Sequence, residues 1–291
     1  MNNTLVTVIV PAYNHEKYVL ECLDSINNQT YRDFQWIVVD DCSQDKTPEL
    51  LKENKKKYGY ELILHDKNMG LSATLTETIR DFAKGEYLVM CASDDMFLPN
   101  KIEAQLKFLQ NNPQYVMCYS RSIAMNEKSE NFPNKDTFSG YKSGDIFEDI
   151  LCRKYHIGIN IMYRTKVFAE VGYFEPNILA EDYYLYCKIA RKYKIGFLDE
   201  YLHKYRVAEL STKRDPWKLV MSHRQTVDMF KDDVLYPKAV NSWEVKSSLI
   251  IAGYKKYKLK ALKYFVKNMD YFFAHPKNLF YITKYLVVDW K

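Results

Sequence analysis

The fold is decided by the stretch Val6-Thr-Val-Ile-Val-Pro-Ala-Tyr-Asn14, in which a short β-branched run ends abruptly in polar residues. A run of this length and composition predicts a buried strand. Similar apolar runs recur at 36–39, 61–64, 87–91 and 116–119. Helical patterns separate them, at 15–28, 47–58, 70–83 and 100–110. Alternation of this kind predicts an α/β fold in which helices flank a mainly parallel sheet.

Polar residues follow each of the first four predicted strands. They are Pro11, Tyr13 and Asn14, then Asp40 and Asp41, then His65, Asp66, Lys67 and Asn68, and finally Ser93, Asp94 and Asp95. Ligands of parallel sheets bind at the carboxyl ends of the strands, so these residues predict a binding crevice. The chain has no GxGxxG and no Walker loop to hold phosphates. A divalent cation on Asp94 and Asp95, Mg²⁺ or Mn²⁺, is the expected alternative.

The second half of the α/β region is mixed. We expect a polar loop at 126–144, a helix at 145–152, a strand at 158–163 and a strand at 202–207. Glu181 and Asp182 open a further helix, where acidic residues also suit the helix dipole. Beyond residue 215 the pattern is wholly helical. The predicted domains are therefore 1–214, an α/β domain, and 215–291, a helical appendage.

The positive charge is placed unevenly. The 291 residues carry a net charge of +5, yet residues 253–291 alone hold nine lysines and two aspartates, a net +7. This distribution excludes a uniformly basic nucleic-acid-binding protein, and no nucleic acid is expected as a partner. The six scattered cysteines form no CxxC pair and indicate buried thiols in a reducing compartment. Without a signal-peptide pattern or a long apolar run, we expect a cytoplasmic protein, or one that is bound to the inner face of the cell membrane from the cytoplasmic side.

The basic tail has two interpretations. Apolar residues of 258–273 follow helical spacing, and lysines lie largely off that face. A basic amphipathic helix with aromatic residues is typical of binding to an anionic membrane surface. The same pattern also fits an appendage packed on the catalytic domain or on a second subunit, so a homo-oligomer stays open.

Five motifs in register give the chain a family resemblance. They are Val6–Asn14, Ile37–Asp41, Gly85–Tyr87, Ser93–Asp95 and Glu181-Asp182. Together they resemble the family 2 glycosyltransferases, which are inverting enzymes of GT-A fold that use nucleotide-sugar donors. The resemblance covers about residues 4–212. It implies a donor half at about 1–120 and an acceptor half at about 121–214.

The resemblance also implies roles for individual residues. Pro11, Tyr13 and Asp41 match the grip on the nucleobase, with Asn14 beside them on the binding face. Asp94 matches the residue near the donor ribose, and Asp95 matches the metal ligand that bridges to the diphosphate. Asp182 matches the general base. Lys67, Arg206 and Ser211 fall on the diphosphate side, where Ala208 and Leu75-Thr76 replace a histidine and an Arg-Asn pair often found in the family.

No functional role is expected for the six histidines or for Gly70. The six histidines show no ligand spacing and are expected to be structural or on the surface, with His203 a packing residue. Gly70 is expected to allow close backbone packing at the start of its helix.

The implied activity is that of a hexosyltransferase. It would move a sugar from a nucleotide diphosphate, preferably UDP, to a hydroxyl of a glycan or lipid-linked acceptor in cell-surface polysaccharide synthesis. Two other classes stay open. A sugar-nucleotide-forming nucleotidyltransferase would normally have a Gly-rich N-terminal loop, which Pro11-Ala-Tyr-Asn14 is not. The second class is a non-catalytic module, centred on the tail, that binds a membrane or RNA. Lysines interspersed with aromatic residues are compatible with RNA binding.

Overall fold

The computed structural model describes residues 6–136, 140–154, 157–158, 160–207 and 215–287. Ser211 and Ala208, named above, lie outside these ranges. The described residues group into two compact units. The first unit lies within Met1–Ile146, Tyr155–Pro176 and Lys188–Glu209, and the second within Phe147–Lys154, Asn177–Cys187 and Leu210–Lys291.

The first unit contains one twisted, mainly parallel sheet. Its strands are β1 (Val6–Ala12), β2 (Phe34–Asp40), β3 (Glu61–Leu64), β4 (Tyr87–Met90), β5 (Met96–Phe97), β6 (Tyr115–Met125), β7 (Asn131–Asp136), β8 (Ile161–Arg164) and β9 (Lys194–Arg206). The strand order is β3-β2-β1-β4-β8-β6-β9-β5, and β7 pairs with β6. The first four strands in this order are parallel neighbours, so their carboxyl ends meet at one edge.

Helices flank this sheet. They are α1 (Val19–Asn27), α2 (Thr47–Tyr58), α3 (Leu71–Glu77), α4 (Lys101–Asn111) and α6 (Lys166–Val171), and a π-helical turn at Thr78–Phe82 follows α3. In α2, Pro48 occupies the first turn and Gly59 ends the helix with a left-handed φ of 78°. Those are the positions that each residue type favours.

The core of this unit is built from the apolar runs that predicted the strands. Val8, Val10, Val38 and Val89 are fully buried and pack together with Leu23 of α1. Strands buried on both faces read as continuous β-branched runs, which is why the sequence shows no alternation there. The core therefore fixes the positions at which β1, β2 and β4 end.

Three segments differ from the sequence expectations. The polar stretch 126–144 contains the edge strand β7, and β9 begins at Lys194 rather than near 202. The pairing of β6 with β9 has register shifts, so the alternation of apolar residues is broken there. The first helix begins at Val19 rather than at residue 15, and the amides of His15 and Glu16 donate to the side chains of Thr47 and Asp45.

The second unit is helical. It contains α5 (Phe147–Leu151), the start of α7 (Glu181–Lys192), α8 (Pro216–Asp228), α9 (Tyr236–Ile251), α10 (Lys258–Lys267), α11 (Met269–Ala274) and α12 (Pro276–Val287), with a 3-10 turn at Lys255–Tyr257. Asp215 caps α8 by accepting from the Trp217 amide, and the hydroxyl of Tyr257 donates to the same carboxylate. Among the described residues, none of these helices is long and apolar enough to cross a membrane.

Gly196 of β9 is expected to reject a side chain. A Cβ at this position would lie 2.5 Å from the Phe108 ring and 2.8 Å from the Tyr115 ring, which stack on each other. Gly196→Ala should therefore lower the free energy of unfolding by about 1–3 kcal/mol in a urea titration. A glycine-to-alanine change in an unobstructed strand would stabilise instead. Adding Phe108→Leu should restore part of the loss, whereas an unchanged midpoint for the single variant would contradict the expectation.

Candidate active site

The loops that follow β1 and β2 are hydrogen-bonded to each other. The Asn14 amide donates to Ser43 Oγ at 2.9 Å, and the Gln44 amide donates to Asn14 Oδ1 at 2.7 Å. Asn14 and Cys42 both have positive φ angles, 55° and 63°. Non-glycine residues in this conformation are strained and concentrate at functional sites. The hydrogen bonds between the loops and the two positive φ angles indicate that this edge of the sheet is a functional site.

Pro11, Tyr13 and Lys67 lie at this edge with different exposures. Pro11 pairs with Val39 in the last part of β1 and is half-buried. Tyr13, directly after β1, is 44% exposed although it is a large aromatic residue. Lys67, after β3, is exposed as well. An exposed aromatic ring could stack on a nucleobase, and an exposed cation could contact a diphosphate. The roles of these three residues stay predictions.

Asp41 is buried and its carboxylate is held by three donors of the chain. Oδ1 accepts from the Met69 amide at 2.8 Å and lies 3.0 Å from His65 Nδ1, and Oδ2 accepts from the Gly70 amide at 2.8 Å. Burial raises the pKa of Asp41, but the hydrogen bonds from His65, Met69 and Gly70 outweigh it and hold the pKa below its ordinary value. Asp41 therefore organises the loop between β3 and α3.

The structure gives a different reason for a glycine at position 70 from the close backbone packing expected from the sequence. Its φ is +82°, and a Cβ built on it would meet nothing within 4 Å. Close packing is therefore not the cause. The left-handed backbone, which glycine adopts without strain, turns the Gly70 amide toward the Asp41 carboxylate.

His65 lies between two carboxylates. Its Nδ1 is 3.0 Å from Asp41 Oδ1, and its Nε2 is 3.0 Å from Glu77 Oε2. The imidazole is 8% exposed, and neither Nε2 nor Glu77 Oε2 makes an aligned hydrogen bond. The sequence expectation that the histidines are only structural or superficial missed this arrangement, because residues 41, 65 and 77 meet only in the folded sheet.

Asp94 is the more accessible of the two adjacent aspartates. Its side chain is 23% exposed, and its Oδ2 lies 3.8 Å from His15 Nε2. The other ring nitrogen of His15 is 2.7 Å from Ser93 Oγ, which orients the imidazole. Burial and the neighbouring Asp95 carboxylate raise the pKa of Asp94 above its ordinary value, against the opposing effects of His15 and Arg206.

Asp95 is almost completely buried. Its Oδ1 accepts from the Arg206 amide at 2.8 Å, and its Oδ2 lies 3.4 Å from Nε2 of the buried His203. Oδ2 has no hydrogen-bond partner. His203, expected to be a packing residue, thus contacts the Phe97 ring and also faces a carboxylate. Asp95 therefore joins the β4 end to β9.

Arg206 is buried, and its guanidinium is bound by the protein itself. Nε donates to the Asp94 carbonyl at 2.7 Å, and Nη2 donates to Glu21 at 2.9 Å. Nη1 donates to the Asn126 carbonyl and to Ser129, and the group stacks over the Tyr18 ring at 4.2 Å. In this structure Arg206 fixes the backbone of Asp94, and its predicted contact with a diphosphate stays a prediction.

The residues at this edge fit a divalent cation held partly by its substrate. Among the described residues, no group of three His, Cys, Asp or Glu side chains is arranged to bind a metal ion. Asp94 is accessible, and the adjacent Asp95 Oδ2 is a buried carboxylate oxygen without a hydrogen-bond partner. Mg²⁺ and related ions are commonly bound by one or two carboxylates together with substrate phosphates and water. The donor set therefore suits such an ion rather than a permanently caged metal.

Asp182 belongs to the second unit, in the first turn of α7. Its Oδ1 accepts from the Tyr183 amide, and its negative charge acts on Arg153. Burial lowers the pKa of Arg153, and the charges of Tyr183 and Asp182 oppose that effect. Arg153 has a φ of 50°, and its Nη1 has no hydrogen-bond partner.

A cavity of about 510 Å³ lies at the opposite ends of the strands. It is lined by Lys84, Gly85, Glu86, Pro113, Val116, Arg164, Thr165 and Lys166. The predicted site residues do not line this cavity, and Arg164 already donates to Tyr115, Tyr87 and Leu109. The candidate active site is therefore the open carboxylate-lined edge rather than this cavity.

Ligands of parallel sheets bind at the carboxyl ends of the strands, which is where this chain places its acidic residues. The family model of glycosyl transferase family 2 matches residues 7–172. The chain belongs to glycosyltransferase family 2. The sequence resemblance is thereby confirmed, and the chain is a glycosyltransferase rather than a nucleotidyltransferase.

Two relatives show how much of the chain is shared. An uncharacterized glycosyltransferase of Methanocaldococcus jannaschii is 29% identical over 211 residues, which are 71% of this chain and 72% of the relative. One of Rickettsia felis is 32% identical over 220 residues, which are 75% of this chain but 36% of the relative. The chain therefore spans only about a third of the rickettsial protein.

Two solved structures share the fold. Residues 1–349 of S. aureus TarS, in complex with UDP-GlcNAc, align with a TM-score of 0.66 and 18% identity over 88% of this chain and 75% of that one. The mannosyltransferase PcManGT of Pyrobaculum calidifontis, in complex with GDP-Man and Mn²⁺, aligns with a TM-score of 0.59 and 17% identity over 97% and 84%. The GT-A fold expected from the sequence is confirmed.

Asp41→Asn is expected to lower stability in a pH-dependent way. The native pKa of Asp41 is lowered, so the ionised carboxylate stabilises the fold at neutral pH, and that contribution is lost as the pH falls through the native pKa. Urea unfolding should show a loss of about 1.5–3 kcal/mol at pH 7 and a smaller one in acid. Asp66→Asn, at an exposed neighbour, should change little. An equal loss at both pH values would argue against the assignment.

Asp94→Ala is expected to abolish binding of the metal ion and donor without destabilising the fold, whereas Asp95→Ala is expected to lower the free energy of unfolding. Asp95→Ala leaves the buried Arg206 amide without its acceptor, so the free energy of unfolding should fall by about 1–3 kcal/mol. The fold disfavours ionised Asp94, so Asp94→Ala should stay within about 0.5 kcal/mol of wild type. Thermal shifts with Mn²⁺ and a nucleotide sugar should nevertheless vanish in Asp94→Ala. Equal destabilisation by both substitutions would refute this division.

Proposed function

We propose that the chain is an inverting glycosyltransferase that moves a sugar from a nucleotide diphosphate donor to a hydroxyl group of a glycan or lipid-linked acceptor. The observation that carries the proposal is the edge of β1 to β4, where Asp41 follows β2 and Asp94 and Asp95 follow β4, on either side of β1, in a family 2 chain. Structures with the same fold bind UDP-GlcNAc and GDP-Man, which supports a nucleotide-sugar donor.

The donor would lie along the ends of the parallel strands. Tyr13, with Pro11 and Asn14, offers an exposed aromatic face for the base, and the Asp41 carboxylate offers an acceptor for an imide N–H, which favours uracil. Lys67 supplies an exposed positive charge for the diphosphate. Arg206 would contribute indirectly, because it holds the backbone of Asp94 in place.

A divalent cation, Mn²⁺ or Mg²⁺, would be held by Asp94 and Asp95. When bound, such an ion supplies Lewis-acid neutralisation of the negative charge on a leaving diphosphate. The Mn²⁺ complex of the mannosyltransferase supports this assignment. The raised pKa of Asp94 has a further consequence: protons compete with the ion for this carboxylate at a higher pH than they would for an ordinary aspartate.

Asp182 would act as the general base. Its carboxylate takes the proton of the acceptor hydroxyl while that oxygen attacks C1 of the sugar and the bond from C1 to the diphosphate oxygen breaks. Attack opposite the leaving group inverts the configuration at C1. The charge of Arg153 interacts with that of Asp182. The assignment is supported by the register of Glu181-Asp182 and by this cation.

We further propose that the reaction belongs to cell-surface polysaccharide synthesis and takes place at the cytoplasmic side of the membrane. All six cysteines are free, and five of them are buried. Free thiols are typical of proteins from a reducing compartment. A lipid-linked acceptor would be presented at that surface.

A thermal-shift panel of UDP-, GDP- and other nucleotide sugars with Mn²⁺ or with EDTA tests the donor. Stabilisation by a ligand that binds the native state follows RT ln(1 + [L]/Kd), so a cognate donor at 100 Kd should add about 2.7 kcal/mol. The expected result is a shift for one nucleotide class that EDTA removes. A panel in which no nucleotide sugar shifts the midpoint would refute the donor assignment.

Asp182→Asn is expected to abolish transfer and leave donor binding nearly unchanged. The amide cannot accept the hydroxyl proton, and a lost general base lowers the rate by about 10²–10⁴-fold. Turnover is measured by release of nucleoside diphosphate, and donor affinity by calorimetry. Glu181→Gln, one position earlier on the same helix, is the matched control and should retain activity. Unchanged turnover in Asp182→Asn, with normal donor affinity, would exclude Asp182 as the base.

A further inference from the structure

Helices α10 and α11 have apolar residues on two neighbouring faces, one turned to the core and one exposed. The inner face contributes Ala261 and Phe272, both fully buried, and the half-buried Phe265 to the core of the second unit. The other apolar residues point away from that core and are exposed. We call them the outer stripe: Leu259, Leu262, Val266, Met269 and Phe273, exposed by 81%, 40%, 56%, 39% and 61%.

The outer stripe is continuous along the helices. Its members are spaced by three and four residues in alternation, which is the spacing of one face of an α-helix. The stripe passes the junction at Asn268, where α10 ends and α11 begins. In α12, Phe280 and Tyr281 are also exposed, by 72% and 44%. The second unit thus carries a row of large apolar side chains in addition to its core.

Such a row needs a partner. Single exposed apolar residues are common on proteins, but a contiguous apolar patch of this kind usually marks an interaction surface. The core of the second unit is already formed by the inner face, so the outer stripe is not needed to close it. What contacts the stripe must therefore be apolar and must come from outside the unit.

The surrounding charge selects the partner. Residues 253–291 contain nine lysines and two aspartates, and four of the lysines lie within α10 itself. Two copies of the segment placed face to face would bring like charges together, which is unfavourable. A surface that is both apolar and negatively charged meets the two requirements at once, and the interface of an anionic bilayer is such a surface.

Not every lysine is available for this purpose. Lys260 lies over the Trp217 ring at 3.7 Å, and Lys267 pairs with Glu244 at 2.5 Å. Lys263, on the same helix between Leu262 and Val266, is exposed. Lys277 of α12 is exposed as well. The long side chains of lysines reach headgroups while neighbouring apolar residues enter the interfacial layer.

We propose that the outer stripe inserts into the interfacial layer of an anionic bilayer, with Lys263 and Lys277 contacting phosphate headgroups. The helices would lie in the plane of the surface, and among the described residues no helix could span the bilayer instead. The proposal concerns a surface of the second unit and needs no glycosyl transfer, so it stands or falls separately from the proposed activity.

Co-sedimentation of the full chain with vesicles tests the proposal. Wild-type protein should pellet with phosphatidylglycerol vesicles, bind phosphatidylcholine vesicles at least about tenfold more weakly, and lose affinity as salt is raised. The double substitution Leu259→Glu/Val266→Glu should weaken binding to phosphatidylglycerol by about tenfold or more, because it places two charges in the stripe. Both side chains are exposed, so the fold should tolerate the change.

The control carries the same change of charge elsewhere in the second unit. Met229→Glu/Val234→Glu replaces two residues that are 52% and 93% exposed and lie outside the outer stripe. It should bind vesicles nearly as wild type does. Equal losses in the two double variants, or equal binding of wild type to both lipids, would overturn the proposal. Concentration-dependent dimerisation that the stripe variant abolishes, without vesicle binding by wild type, would also overturn it in favour of self-association.

Discussion

The buried guanidinium of Arg206 is the group on which the geometry of the candidate site depends. A guanidinium with no exposed surface is costly unless its donors are satisfied, and here a carboxylate, two carbonyls, a hydroxyl and an aromatic face satisfy it. These partners come from α1, the end of β4 and the turn after β6. One side chain at the end of β9 thus joins segments that are far apart in sequence. The position of the Asp94 backbone follows from it.

The carboxylates at the strand ends differ in burial and in hydrogen bonding. Asp41 and Asp95 are buried and accept hydrogen bonds from backbone amides, so each stabilises a particular loop conformation. Asp94 keeps part of its surface in solvent and has a raised pKa. A carboxylate that the fold does not satisfy is available to a ligand. Asp95 is more deeply buried than Asp94, yet its Oδ2 also has no hydrogen-bond partner, so the two neighbouring aspartates differ in ways that the sequence Asp94-Asp95 does not show.

The α/β architecture could be predicted from the sequence because fully buried strands have continuous apolar runs. β1, β2 and β4 appear as such runs, and polar residues at their ends predict the binding edge. β7 could not be predicted, since it is a polar edge strand that contains Pro133, and proline is confined to edges and bulges of sheets. The contacts of His65 with Asp41 and Glu77 were also missed, because side-chain meetings between distant segments leave no local pattern.

The tail shows how one pattern can satisfy two interpretations. Helical spacing alone could not distinguish residues packed in a core from residues directed to a membrane, since both give a regular apolar period. Phe265 and Phe272 contact the core, whereas Leu259, Val266 and Phe273 are exposed. A helix that only packed on its own unit would need the first set and would be more soluble without the second. The presence of both sets in a strongly basic segment indicates that α10 and α11 have two partners, one internal and one external.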